Sequence, residues 1–173
     1  LALRFVFPLI SIEGEAFWKI LSSPVSKKKY LANKFIVPFL FLLIISLILN
    51  LLATRIYPFQ LMIIPTLLSL FTTFTFVSLN LGMGIIYANF KESNPIRIAS
   101  SQGATISFLL NIVYLVLMVL LLFNPVYKSF EQIKLYSTIN IGQYLSPVLI
   151  IIVLSLLSAY IFLIAGYRSL LKK

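Results

Sequence analysis

The chain has 173 residues, 61% of them hydrophobic and only 10% charged, with a formal net charge of +10 and a mean hydropathy of +1.06. A soluble domain of this length carries about a quarter charged residues, so a water-facing shell is excluded, and so is intrinsic disorder. There is no Cys, no His and no Asp, and the only acids are Glu13, Glu15, Glu92 and Glu131; disulfides, thiolate or imidazole metal sites and a thiol nucleophile are ruled out. Lys and Arg fall in short clusters between long uncharged runs, not on one basic face, so nucleic acid is not an expected partner.

In chain order, Leu1–Ile10 is apolar except for Arg4 and too short to cross a bilayer. It reads as the tail of an earlier helix, with the chain as the C-terminal part of something longer; an interfacial segment is the plainer alternative. The period of Ile12, Ala16, Phe17, Ile20 and Leu21 predicts a short amphipathic helix over 12–21. Pro24 ends it, and Ser26 can cap a new helix entering the first span through Lys27–Lys29. Residues 1–35 thus form a cytoplasmic or interfacial segment, in which Trp18 and Tyr30 suit headgroup depth and the lysines suit anionic lipid.

Residues 36–173 form the membrane part. The uncharged runs Phe35–Thr54, Ile56–Phe90, Ile98–Tyr127 and Leu135–Tyr167 are each long enough for a helix to cross a ~30 Å hydrocarbon core. Trimmed at polar and helix-breaking residues, they predict spans near 36–54, 61–87, 102–123 and 146–167: an all-α polytopic bundle. The outer loop 124–145 can hold a short helix around Phe130–Tyr136, and Pro147 suits the start of the last span. Arg4, Lys19, Lys27, Lys28, Lys29, Lys34, Lys91, Arg97, Arg168, Lys172 and Lys173 then lie on one side, against Arg55, Lys128 and Lys134 on the other. The positive-inside bias puts both termini in the cytoplasm.

Polar residues inside the spans recur at helical spacing. Thr66, Ser69, Thr73, Asn80, Gly84 and Tyr87 share one face of the second span, and Ser100, Ser107, Asn111 and Tyr114 one face of the third, with Gly103 and Ala104 on the same side. Such groups need partners in lipid, so both faces should point into protein or a hydrated cavity. Thr66, Ser69, Thr73, Asn80, Ser107, Asn111 and Tyr114 are candidates to line a substrate path; interhelical packing is the plainer reading. Asn80 and Asn111 fall at similar depth on antiparallel neighbours, where they could pair or line a shared cavity. In the loop before the third span, Ser93 or Asn94 can cap a helix whose first position suits Pro95. With Ser100, Ser101 and Gly103 this forms a candidate cytoplasmic gate or a site of close helix packing. Ser155, Ala159 and Gly166 make a weaker small-residue face on the last span.

No Gly-x-x-x-x-Gly-Lys-Ser/Thr phosphate loop occurs in these residues. All four Glu lie outside the spans, and no Lys lies within one, so catalysis, a bound cofactor and autonomous proton coupling are not expected.

The string Arg4-Phe5-x-Phe7-Pro8-x-x-Ser11-x-Glu13-Gly14, then Phe17-Trp18, Ser23-Pro24 and Lys34-Phe35, with Asn94-Pro95-x-x-Ile98-Ala99-Ser100-Ser101-x-Gly103, resembles the bacterial ATP-binding-cassette exporter permeases. The resemblance implies a multi-pass permease of the inner membrane with about twice this number of spans or more. It also implies a separate ATPase subunit, docked on the cytoplasmic side at Ser11–Pro24. Glu13, Phe17 and Trp18 are the candidate docking residues. The rest of the membrane part would be an upstream segment or a second permease copy. The competing reading is a non-transporting membrane scaffold or assembly factor, in which the polar faces only pack helices.

Overall fold

The structure is a computed structural model and describes residues 1–17, 19, 22, 24, 26–53, 62–92, 94–136 and 141–172. Within them it is helical, without a strand: α1 (Ala2–Phe5), α2 (Lys27–Ala53), α3 (Ile63–Ile86), α4 (Pro95–Ala99), α5 (Gln102–Tyr136) and α6 (Leu145–Lys172), joined in part by short 3-10 turns. Four of these, α2, α3, α5 and α6, are long and apolar enough to cross a membrane.

The four are not equivalent. The least apolar, α3, is also the most buried. From Val77 to Ile85 it is covered on every side, because α2, α5, α6 and the N-terminal segment all pack on it. Polar side chains can be satisfied there by protein, whereas α2 and α5 present mostly apolar side chains outward and need lipid as their solvent.

The closest pair is α3 and α6, which run parallel. A Cβ on Gly82 would lie 2.3 Å from the Phe162 carbonyl oxygen, and one on Gly166 would lie 3.0 Å from the Gly82 Cα. Two glycines facing each other let the backbones touch, which is how helices gain dispersion energy where no hydrophobic effect drives association. On the other side α2 runs antiparallel to α3, with Phe35 and Phe39 edge-on to Phe74 at 5.4 and 5.9 Å. Toward one end of the bundle, Val6, Ile10, Phe17, Ile85 and Leu170 close a common cluster. The N-terminal segment, the 87–101 loop and the C-terminal end of α6 therefore share that end, as an even number of crossings requires.

Three local expectations need correction. The amphipathic helix expected over 12–21 is not regular in its first half: Ser11–Ala16 is a 3-10 stretch broken at Gly14 (φ 50°, ψ −132°), a left-handed conformation that glycine adopts without steric cost, whereas Phe17 and Lys19 are helical and residues 18, 20 and 21 lie outside the described residues. The break lets Glu13 and Phe17 both turn inward. The outer loop 124–145 is shorter than expected, because α5 continues past Pro125 to Tyr136; a helix still satisfies its own backbone groups where it leaves lipid. The 35 residues of α5 make one element rather than a span and a separate helix. Ser26 accepts from the Lys29 N–H at 3.3 Å, so α2 begins at its expected cap, and α6 begins two residues before Pro147, where the missing N–H costs nothing.

Candidate translocation site

Asn80 sits on the buried face of α3 and is fully shielded, as is Ser107 on α5. The Asn80 Oδ1 accepts from Ser107 Oγ at 2.8 Å and from Asn111 Nδ2 at 3.3 Å. Its Nδ2 donates to the Phe76 carbonyl one turn back at 2.7 Å and to Asn111 Oδ1 at 3.4 Å. Three polar side chains thus form a clasp between α3 and α5. The two amide–amide contacts are long for N–H···O bonds, whose usual length is about 2.9–3.0 Å. No buried side-chain nitrogen or oxygen among the described residues lacks a partner.

One turn further along α5, Tyr114 does not face the clasp. Its hydroxyl shares a 2.7 Å hydrogen bond with Ser155 of α6, and Ser155 donates to the Ile151 carbonyl at 2.7 Å. The Tyr114 ring meets Phe76 edge-on at 5.7 Å. Thr66 donates to the Met62 carbonyl at 2.8 Å. Ser69 and Thr73 line a separate cleft between α2, α3 and α5. The seven candidate path residues therefore divide: Asn80, Ser107 and Asn111 come together, Tyr114 bridges α5 to α6, Ser69 and Thr73 open onto the cleft, and Thr66 bonds back to the Met62 carbonyl.

At the loop end, Asn94 accepts from the Ile96 N–H at 3.0 Å and Pro95 takes the first helical position, so α4 has the cap its sequence calls for; Ser93 lies outside the described residues. Ser100 Oγ donates to the Arg97 carbonyl at 3.0 Å, and Ser101 Oγ accepts from the Ala104 N–H at 3.4 Å, starting α5. A Cβ on Gly103 would fall 2.5 Å from Tyr87 Cβ, so α5 meets the end of α3 in backbone-close contact. A cavity of about 320 Å³ lies between the residues that follow α3 and α4, walled by Tyr87, Asn89, Glu92, Arg97, Ile98, Ser100 and Ser101, with Arg97 and Glu92 paired at 3.3 Å. Outside it, Ile96 is 78% exposed.

The candidate docking residues are placed differently from the expectation of exposed anchors. Phe17 is buried, stacked on Phe90 at 4.6 Å and edge-on to Tyr30 at 6.3 Å. Glu13 pairs with Lys34 at 2.7 Å and accepts from the Tyr30 hydroxyl. Trp18 lies outside the described residues. The N-terminal segment is pinned inward again by Ser11, whose Oγ accepts from the Asn89 N–H at 3.1 Å, and by Gly84, where a Cβ would meet the Phe7 carbonyl oxygen at 2.2 Å. Sequence spacing marked Gly84 as part of a polar face; it is a seat for the Phe7 backbone. Gly82 escaped that spacing, although a second glycine two residues from the first, in a helix otherwise rich in bulky residues, was a signal for it.

A family model described as "Putative ATP-binding cassette" matches residues 1–173. No curated protein and no solved structure matches the chain.

Proposed function

We propose a transport role from one premise: the chain belongs to the family of the "Putative ATP-binding cassette" along its whole length. The family's description speaks of ATP binding, yet these residues hold no phosphate loop and fold into four helices of membrane length. That contrast carries the reading. The chain is the membrane-embedded permease part of an ATP-driven exporter of the bacterial inner membrane, and nucleotide hydrolysis belongs to a separate ATPase subunit.

The loop end of the bundle is the cytoplasmic face in this reading, since Arg4, Lys28, Lys29, Lys91, Arg97 and Arg168 are all exposed there. The ATPase seats on α4, whose Ile96 and Arg97 project from a capped, rigid turn, beside the segment that Glu13 and Phe17 hold in place. Arg side chains at the centre of a contact are among the effective anchors, and an exposed Ile beside one adds apolar area to bury. The Asn80–Ser107–Asn111 clasp and the Gly103–Tyr87 contact close the cytoplasmic half of the path.

Ile96→Glu, tested by co-purification of the ATPase with the permease, is expected to reduce the complex while membrane insertion stays normal. An undiminished complex would remove α4 from the interface. The scaffold reading draws support from one observation, the complete satisfaction of the clasp. A phosphate-loop ATPase encoded beside this chain favours the permease, and its absence the scaffold.

A further inference from the structure

The cleft that Ser69 and Thr73 line has a volume of about 410 Å³ and is walled by Ser46 of α2, Leu68, Ser69 and Thr72 of α3, and Leu115 and Met118 of α5. That is within the range of small-molecule sites, about 300–1,000 Å³. Toward the loop end its wall includes Phe76, whose ring meets Tyr114 edge-on at 5.7 Å, and the asparagine clasp follows one turn beyond. Beside its α2 and α5 walls these helices carry outward apolar side chains, Leu49 60% and Val119 64% exposed.

The wall chemistry selects the occupant. No charged residue lines the cleft. Three of its four hydroxyls already donate elsewhere: Ser46 to the Leu43 carbonyl at 2.8 Å, Ser69 to the Thr66 carbonyl at 2.8 Å and Thr72 to the Met118 sulfur at 3.5 Å. Ser69 also accepts from Asn50 Nδ2 at 2.8 Å. A polar solute would lose its hydration here without recovering its hydrogen bonds. A hydrocarbon chain loses nothing and enters from the side without crossing water.

We propose that this cleft binds the acyl chain of a lipid-tailed molecule, which enters laterally from the bilayer between α2 and α5. Its assignment as the exported cargo, rather than a resident lipid, rests on the transport reading above.

The test uses the full chain reconstituted in phospholipid vesicles containing a phospholipid with a photoactivatable diazirine in its acyl chain, with adducts mapped by mass spectrometry. Adducts should concentrate at Leu68, Thr72, Leu115 and Met118 over the exposed α6 residues Val153 and Leu157. Leu115→Trp, and from the opposite wall Ser46→Trp, should each abolish the cleft adducts and leave those on α6; either variant suffices if the other fails to accumulate. Labelling no stronger in the cleft than on α6, or unchanged in a filled variant, overturns the site. So does a photo-crosslinking residue at position 115 that captures another protein helix instead of lipid. No ATPase enters this assay, so its failure leaves the permease reading standing, and loss of the ATPase complex leaves the acyl site standing. With the ATPase added, export of a fluorescent lipid probe should be lost in the filled variants. Export that persists when the adducts are gone makes the chain a resident lipid and overturns the cargo assignment.

Discussion

Asn111 is where the path and packing readings separate. Its amide bonds to Asn80 are long, and interhelical hydrogen bonds in membranes average only ~0.6 kcal/mol. Asn111→Leu should therefore cost on the order of 1 kcal/mol in thermal unfolding of the purified protein. As part of a path that opens and closes, it should also depress export while the assembled protein level holds. Normal export from a stably assembled Asn111→Leu protein would leave the clasp a packing device only. Gly82 is a harsher position. A methyl there meets the Phe162 main-chain oxygen, not a movable side chain, so Gly82→Ala should destabilise by about 1–3 kcal/mol. Unfolding unchanged from the native protein would mean that α3 and α6 can slide apart without loss. The asparagine pair was legible in the sequence, because spacing and depth alone put two amides on facing helices. The role of Gly82 was not, because it lies off the polar face and its partner carbonyl comes some eighty residues later.

Among the elements, the N-terminal segment departs most from its sequence pattern. The period of Ile12, Phe17 and Ile20 fits a surface helix, but periodicity cannot register a left-handed residue at Gly14 or a ring awaiting Phe17 at Phe90. The four spans were legible for the opposite reason: lipid forbids charge over some 20 consecutive residues, and that prohibition is written locally. Phe17→Ala should remove a stack and a buried ring at once. Buried Phe→Ala changes cost about 3–5 kcal/mol, and here the loss should appear as faster proteolysis within 11–17 while α3 and α6 stay intact. Cleavage at the native rate would show that Ser11 and Glu13 hold the segment alone.

For the whole molecule, the testable statement is its orientation. A reporter fused after Lys173 should signal from the cytoplasm and one inserted near Lys128 from outside; cytoplasmic signals at both would refute the four-span reading. The length of α5 then has a mechanical consequence. Its 35 residues, at about 1.5 Å each, make a rod of roughly 52 Å, against a hydrocarbon layer of ~30 Å. The rod is pivoted at one end, where Gly103 bears on Tyr87. Near the other end Ser129 is roped to the start of the next helix through Gln143 at 2.5 Å and Tyr144 at 2.8 Å. A tilt of about 5° at the pivot swings the far tip through roughly 4–5 Å of arc. A displacement at the loop end too slight to break any packing there would thus arrive at the opposite end, enlarged, as a pull on the head of α6.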